Sequence, residues 1–200
     1  MLENVFKCEE RQGLPFPYQL GSLLGVGGMG VVYELEYPGC ADLAVKFVHP
    51  GVAHPQAAQA QLAYEANIEM HLQGLTSAVQ TFSYHFSQEG QGYKIMRKIK
   101  GRALPKSLNS RLKKKIIDAV TAIHQSGIVH GDLKPSNILL TDSDQIVLID
   151  FGLGRLTAHH SMPSNIRHAY TPRYVSPRVL AGALPEIEDD LYSVNRLFEV

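Results

Sequence analysis

The chain has 200 residues, with 19 Lys and Arg balanced by 19 Asp and Glu, so it has no bulk charge to draw it to nucleic acid or an anionic membrane. Hydrophobic residues make up 44% and charged residues 19%, a mixture apolar enough to build a core of one domain or two small lobes. The two cysteines, Cys8 and Cys40, are too few for a disulfide framework or a cysteine-rich zinc site, which points to a reducing compartment. No apolar run is long enough to span a bilayer, and the early acids of the first ten residues do not match a Sec signal peptide.

Residues 1–19 are polar and carry Pro15-Phe16-Pro17, the pattern of a loosely attached extension. From Leu20 the pattern is β-like. Leu20–Leu24, Val31–Tyr33, Leu43–Val48, Val79–Phe86 and Tyr93–Ile99 read as five strands of an antiparallel sheet. Between the third and fourth, Gln56–Leu72 is rich in Ala, Gln and Glu and follows Pro50, Gly51 and Pro55, which predicts a helix. Gly101 opens a helical region. Ser110–Ser126 places Leu112, Ile116, Ala119, Val120 and Ile123 on one face and stops at Gly127. Ile138–Leu140 and Ile146–Ile149 read as short strands, and Gly152 to Pro177 as one long loop. Asp189–Val200 reads as a helix with Leu191, Val194, Leu197 and Phe198 on one side.

Three blocks carry chemistry. The first is Gly25-Val26-Gly27-Gly28-Met29-Gly30, lying between two strands rather than between a strand and a helix. A hairpin of that kind can lay bare backbone N–H groups over phosphates, though a merely flexible hairpin fits the same letters. The second is Lys46, inside the apolar run Ala44–Val48, where an ammonium needs an anion. Glu65 on the following helix is the natural partner, Glu69 one turn later is its rival, and a lysine snorkelling from an edge strand is the plainer alternative. The third is His130-Gly131-Asp132-Leu133-Lys134-Pro135-Ser136-Asn137, followed eighteen residues after Asp132 by Asp150-Phe151-Gly152. Two acids and an amide at these offsets suit activation of a hydroxyl beside a divalent cation: Asp132 to orient and deprotonate, Asn137 and Asp150 to ligate Mg2+.

In this order the blocks resemble the protein-kinase family, from Leu20 to Val200. The resemblance implies an α+β, two-lobed minimal protein-kinase fold: a β-rich N-lobe with one helix over 20–100 and a truncated helical C-lobe over 101–200. It implies ATP and Mg2+, with catalytic roles for Asp132, Lys134, Lys46 and Glu65. Metal ligation falls to Asn137 and Asp150, and phosphate cradling to Gly25, Val26, Gly27, Gly28 and Gly30. An adenine slot would be lined by Leu24, Val32, Ala44, Met96, Leu139 and Ile149, with Met96 as gatekeeper and backbone groups of Arg97 and Ile99 as the hinge. His130 would pack near Phe151 as a structural histidine, and Asp190 would brace the catalytic-loop backbone. Lys134 and Thr171 resemble the serine/threonine class, in which such a threonine bonds the catalytic Asp and Lys.

The sequence departs from the family at two places. Gly131 stands where regulated members have Arg, which implies activity independent of phosphorylation in the loop holding Thr157, Ser161 and Ser164. Ser176-Pro177-Arg178 replaces a Pro-Glu pair, and Arg178 is expected to pair with the acidic run Glu186, Glu188, Asp189 and Asp190. His159-His160 is expected to be a solvated pair rather than a metal site. In size and truncation the chain resembles the HopBF family of bacterial type III effector kinases. That implies action in a host cytosol on a protein substrate such as a heat-shock chaperone, by a protein without nucleic-acid or membrane partners and monomeric. A Bud-type kinase/ATPase of a tRNA-modification complex shares the His-Gly-Asp run, and a nucleotide-binding pseudokinase is the non-catalytic alternative.

Overall fold

The computed structural model describes residues 18–87, 90–158 and 170–199. Cys8, most of the 1–19 extension, His159-His160, Ser161 and Ser164 lie outside the described residues. The chain divides into two compact units. One takes in the described residues up to Ala66 together with Thr81–Lys98; the other takes in Asn67–Gln80 and the chain from Ile99 onward. The second unit therefore starts at Ile99, two residues before the expected lobe boundary, and also claims the segment 67–80.

The first unit is an antiparallel five-stranded sheet in the order β1-β2-β3-β5-β4, formed by β1 (Gln19–Val26), β2 (Gly30–Tyr37), β3 (Cys40–Val48), β4 (Thr81–Phe86) and β5 (Gly92–Arg97). All five expected strands are present. β1 begins at Gln19, and Tyr18 already packs on the core, so ordered structure reaches into the expected extension. Alternation along β3 separates the two faces of the sheet. Val45 and Phe47 join Leu35, Tyr93 and Ile95 in one apolar cluster. Val48, on the same face as Lys46, packs with Ala58 and Leu62 of the helix α1 (Pro55–His71). β4 starts two residues later than Val79 because that stretch is engaged in the second unit: Val79 N–H donates to the Leu148 carbonyl at 3.0 Å.

In the second unit α2 (Ser110–Gln125) buries the five residues read from the periodicity, Leu112, Ile116, Ala119, Val120 and Ile123. Asn109 caps it, its Oδ1 accepting from Leu112 N–H at 2.9 Å, and the chain turns at Gly127 with φ 75°. The helix packs on β7 (Ile128–Val129), on β9 (Ile146–Leu148) and on the final helix α4 (Ile187–Phe198). β8 (Ile138–Thr141) lies between β6 (Gly101–Ala103) and β9. The expected long loop after Gly152 is interrupted. β10 (Arg155–Leu156) pairs antiparallel with β7, and a short helix α3 (Pro177–Leu180) begins at Pro177. Two-residue strands have no periodicity to read, so pattern alone could not reveal β7 and β10. α4 also differs from its expected face. Val194 and Leu197 are buried with Asp189, Asp190 and Ser193, whereas Leu191 is 44% exposed, because polar anchoring of the two aspartates sets the helix rotation. Among the described residues no helix is long and apolar enough to cross a membrane.

Candidate active site

The first unit supplies a hairpin and an ion cluster. β1 and β2 close at Val26 opposite Val31, and Gly27 N–H donates to the Gly30 carbonyl at 2.8 Å. A Cβ at Gly25 or Gly28 would meet nothing within 4 Å, so packing inside this unit does not demand glycine there. Val26 is exposed. Gly30 differs: a Cβ there would stand 2.7 Å from Lys46 Cε and 3.2 Å from the Phe47 carbonyl oxygen. The glycine leaves the path along which the Lys46 stem crosses the neighbouring strand.

Lys46 Nζ donates to Glu65 Oε1 at 2.7 Å and Oε2 at 2.8 Å. Glu65 thus bonds Lys46 as expected, and it holds a second cation. Lys94 Nζ, on β5, donates to Glu65 Oε1 at 2.6 Å. Sequence reasoning missed Lys94, although its setting in the buried run Tyr93–Ile95 carries the same signal that singled out Lys46. Among the apolar slot residues of this unit, Leu24 is exposed, Val32 and Met96 are half-buried, and Ala44 is buried, paired in register with Met96. Arg97 ends β5, and the next residue, Lys98, ties back through its N–H to the Asp42 carbonyl at 2.7 Å and through its side chain to Glu34.

In the second unit the segment from His130 to Asn137 is held from both ends. Asp190 of α4 accepts from His130 N–H at 2.7 Å and from Gly131 N–H at 2.9 Å, and also takes His124 Nε2 at 2.9 Å. His130 receives Asp132 N–H on Nδ1 at 3.3 Å and directs Nε2 to the Ile149 carbonyl at 3.1 Å. Its ring centroid lies 4.5 Å from that of Phe151, which is fully buried.

Asp132 accepts Lys134 Nζ at 2.6 Å. Asn137 Nδ2 donates to the Asp132 carbonyl at 2.9 Å and to its Oδ2 at 3.2 Å. Burial pushes the Asp132 carboxyl above the ordinary carboxylate range, further helped by the charge of Asp150 and opposed by Lys134 and His130. Ile149 N–H donates to the Asn137 carbonyl at 3.0 Å, joining this segment to Asp150, whose backbone is left-handed at φ 66°. The slot residues of this unit, Leu139 and Ile149, are half-buried. The expected bond from Thr171 to Asp132 and Lys134 is not formed. The Lys134 ammonium takes the Asp132 carboxylate directly, and the Thr171 carbonyl closes a turn with Tyr174 N–H at 3.0 Å. Thr157 follows β10, its N–H on the Gly127 carbonyl at 2.8 Å.

The residues fit a hard cation. With its amide nitrogen committed to Asp132, Asn137 has Oδ1 available, touched only by a 3.3 Å bond from Ser136, and Asp150 contributes a carboxylate. Among the described residues no cluster of three or more His, Cys, Asp or Glu forms a metal site from protein ligands alone. Mg2+ is suited to such a sparse set because it retains waters and takes phosphate oxygens.

Arg178 pairs with the acidic run as expected. Its Nε lies 3.0 Å and 3.1 Å from the two carboxylate oxygens of Asp189, and its Nη2 lies 3.3 Å from Glu186. Ser176 completes the cluster by donating to Asp189 Oδ1 at 2.5 Å.

A family model described as the protein kinase domain matches residues 18–198. The probable serine/threonine-protein kinase SCO3848 of Streptomyces coelicolor is 29% identical over 204 residues, covering 94% of this chain and 30% of the relative. Serine/threonine-protein kinase PknD of Mycobacterium tuberculosis is 30% identical over 191 residues, 89% of this chain and 28% of the relative. The chain therefore spans about three tenths of the length of these relatives. The solved structure of the Cydia pomonella granulovirus kinase PK-1 aligns with a TM-score of 0.68 at 22% identity, covering 88% of this chain and 65% of that one, a likeness of fold.

Proposed function

We propose, from the premise that this chain belongs to the protein kinase family over residues 18–198, that it transfers the γ-phosphoryl group of ATP to a serine or threonine hydroxyl of a protein. The observation that carries this reading is the bonded set Asp132, Lys134 and Asn137 on a backbone clamped by Asp190. In this reading a base, a cation and a metal-ligand amide share one segment. The names of the curated relatives support the serine/threonine class, as does Lys134.

In this reading the residues divide the work as follows. The Gly25–Gly30 hairpin offers backbone N–H groups to phosphate oxygens, and Lys46, oriented by Glu65, offers an ammonium. Asn137 and Asp150 would hold Mg2+, which when bound neutralises phosphate charge and orients the γ-phosphoryl group. Asp132 accepts the proton of the attacking hydroxyl as its oxygen bonds to the γ-phosphorus and the bond to the ADP oxygen breaks. Lys134 balances charge on the transferring group.

The narrower reading, a secreted effector acting on a host heat-shock chaperone, is supported only by the resemblance in sequence. Both readings are tested by incubating purified protein with labelled ATP and Mg2+, with and without a eukaryotic cytosolic extract, beside Asp150→Ala. Label that appears with the wild type and vanishes in the variant is the expected result, and the labelled band identifies the substrate. Nucleotide binding without transfer would overturn the kinase reading in favour of a binding module or a partner-dependent ATPase.

A further inference from the structure

Lys46 and Lys94 stand directly opposite each other on β3 and β5. Opposed residues of an antiparallel pair send their side chains to the same face, and like charges so placed repel. Glu65 takes both ammonium groups, with Oε1 shared between them at 2.7 Å and 2.6 Å. The two lysines are not equivalent. The Lys94 side chain is 1% exposed and that of Lys46 14%, so Lys46 is the one with a path outward.

The part of α1 in the first unit has little apolar grip of its own. Its buried apolar residues are Ala58, Leu62 and Ala66, the first two packed on Val48 with help from Val52 and Tyr84, and much of the remaining sequence is Ala and Gln. Each bond between ammonium and carboxylate here is charge-assisted and mostly shielded from water, the setting in which such bonds hold geometry.

The geometry points to Lys94 as a positioning residue. It fixes Glu65, and with it the Pro55–Ala66 half of α1, to the sheet independently of Lys46. Lys46 can then turn toward a phosphate without releasing the helix, and Glu65 stays in place to orient it. This rests on Lys46 being the phosphate-binding lysine of the proposed reaction.

The test compares the wild type with Lys94→Met, Lys94→Gln, Lys94→Arg and Lys46→Met, by hydrogen exchange over residues 55–66 and by ATP binding and steady-state kinetics. Lys46→Met should retain near-wild-type protection of that segment, because Lys94 still holds Glu65. Lys94→Met should lose protection and raise KM for ATP about tenfold, the size expected for one charge-assisted hydrogen bond, with a smaller effect on kcat. Lys94→Arg should restore both in part. If Lys94→Met does not fold, Lys94→Gln decides. Exchange and KM at wild-type values in whichever variant folds would overturn the proposal, as would loss of protection in Lys46→Met equal to that in the Lys94 variants. A wild-type protein that binds no ATP would sink the kinase reading, while the exchange data would still decide whether Lys94 anchors the helix.

Discussion

The carbonyl oxygen of Leu153 occupies the space that a Cβ on Gly131 would need, and Gly131 has a left-handed backbone with φ 77°. The residue that replaces the family's arginine is therefore required by the local fold, because no side chain fits between Asp190, which binds the Gly131 N–H, and the Leu153 backbone.

Gly131→Arg should consequently destabilise the protein rather than install phosphorylation control. The left-handed conformation alone costs a non-glycine residue about 1–2 kcal/mol, and the collision with Leu153 adds to it. Thermal unfolding should show a drop in Tm of several degrees. A variant with wild-type Tm that responds to phosphate in the loop would contradict this account.

Asp132→Asn should abolish transfer and retain nucleotide binding, with a rate loss of about 10²–10⁴-fold for removal of a positioned base. Its effect on stability runs the other way. The folded carboxyl titrates above its unfolded value, so between those two pH values the folded state binds more protons and stability falls as pH rises. At neutral pH the ionised Asp132 is thus a cost to the fold, and the variant should be at least as stable as the wild type. That advantage should vanish below the ordinary carboxylate range. Urea unfolding at neutral and acidic pH measures both.

Arg178→Ala should weaken the second unit at neutral pH. Burial pushes the Asp189 carboxyl up, but hydrogen bonds from Arg178, Ser176 and the Glu186 amide outweigh it and hold the group below the ordinary range. A depressed folded value means a stabilising contribution present above the unfolded pKa and lost as pH falls through the folded one. The difference between wild type and variant in urea midpoint should therefore be largest near neutrality and shrink in strong acid. A difference that does not change with pH would assign the loss to packing instead of the ion pair.

The proposed catalytic set is legible in the sequence because it is local. Asp132, Lys134 and Asn137 lie within six residues, and α2 shows its buried face in the spacing of Leu112, Ile116, Ala119, Val120 and Ile123. Glycines 25, 27, 28 and 30 and the lone lysine of β3 stood out against their strands for the same reason. Lys94 carries the same local signal in the run Tyr93–Ile95, but its role emerges only where the structure sets it on Glu65 beside Lys46.

The sequence by itself determined the order of the five sheet strands along the chain, the two periodic helices and the residues that make up the proposed site, since each is written in spacings of a few residues. Only the tertiary structure decided that Lys94 shares the Glu65 carboxylate with Lys46, that β10 returns to β7, and that the rotation of α4 buries Asp190 and exposes Leu191. Those outcomes depend on strand register and on pairings across 19 to 60 residues. There, bond geometry and the desolvation of charge fix pairings that no local spacing displays.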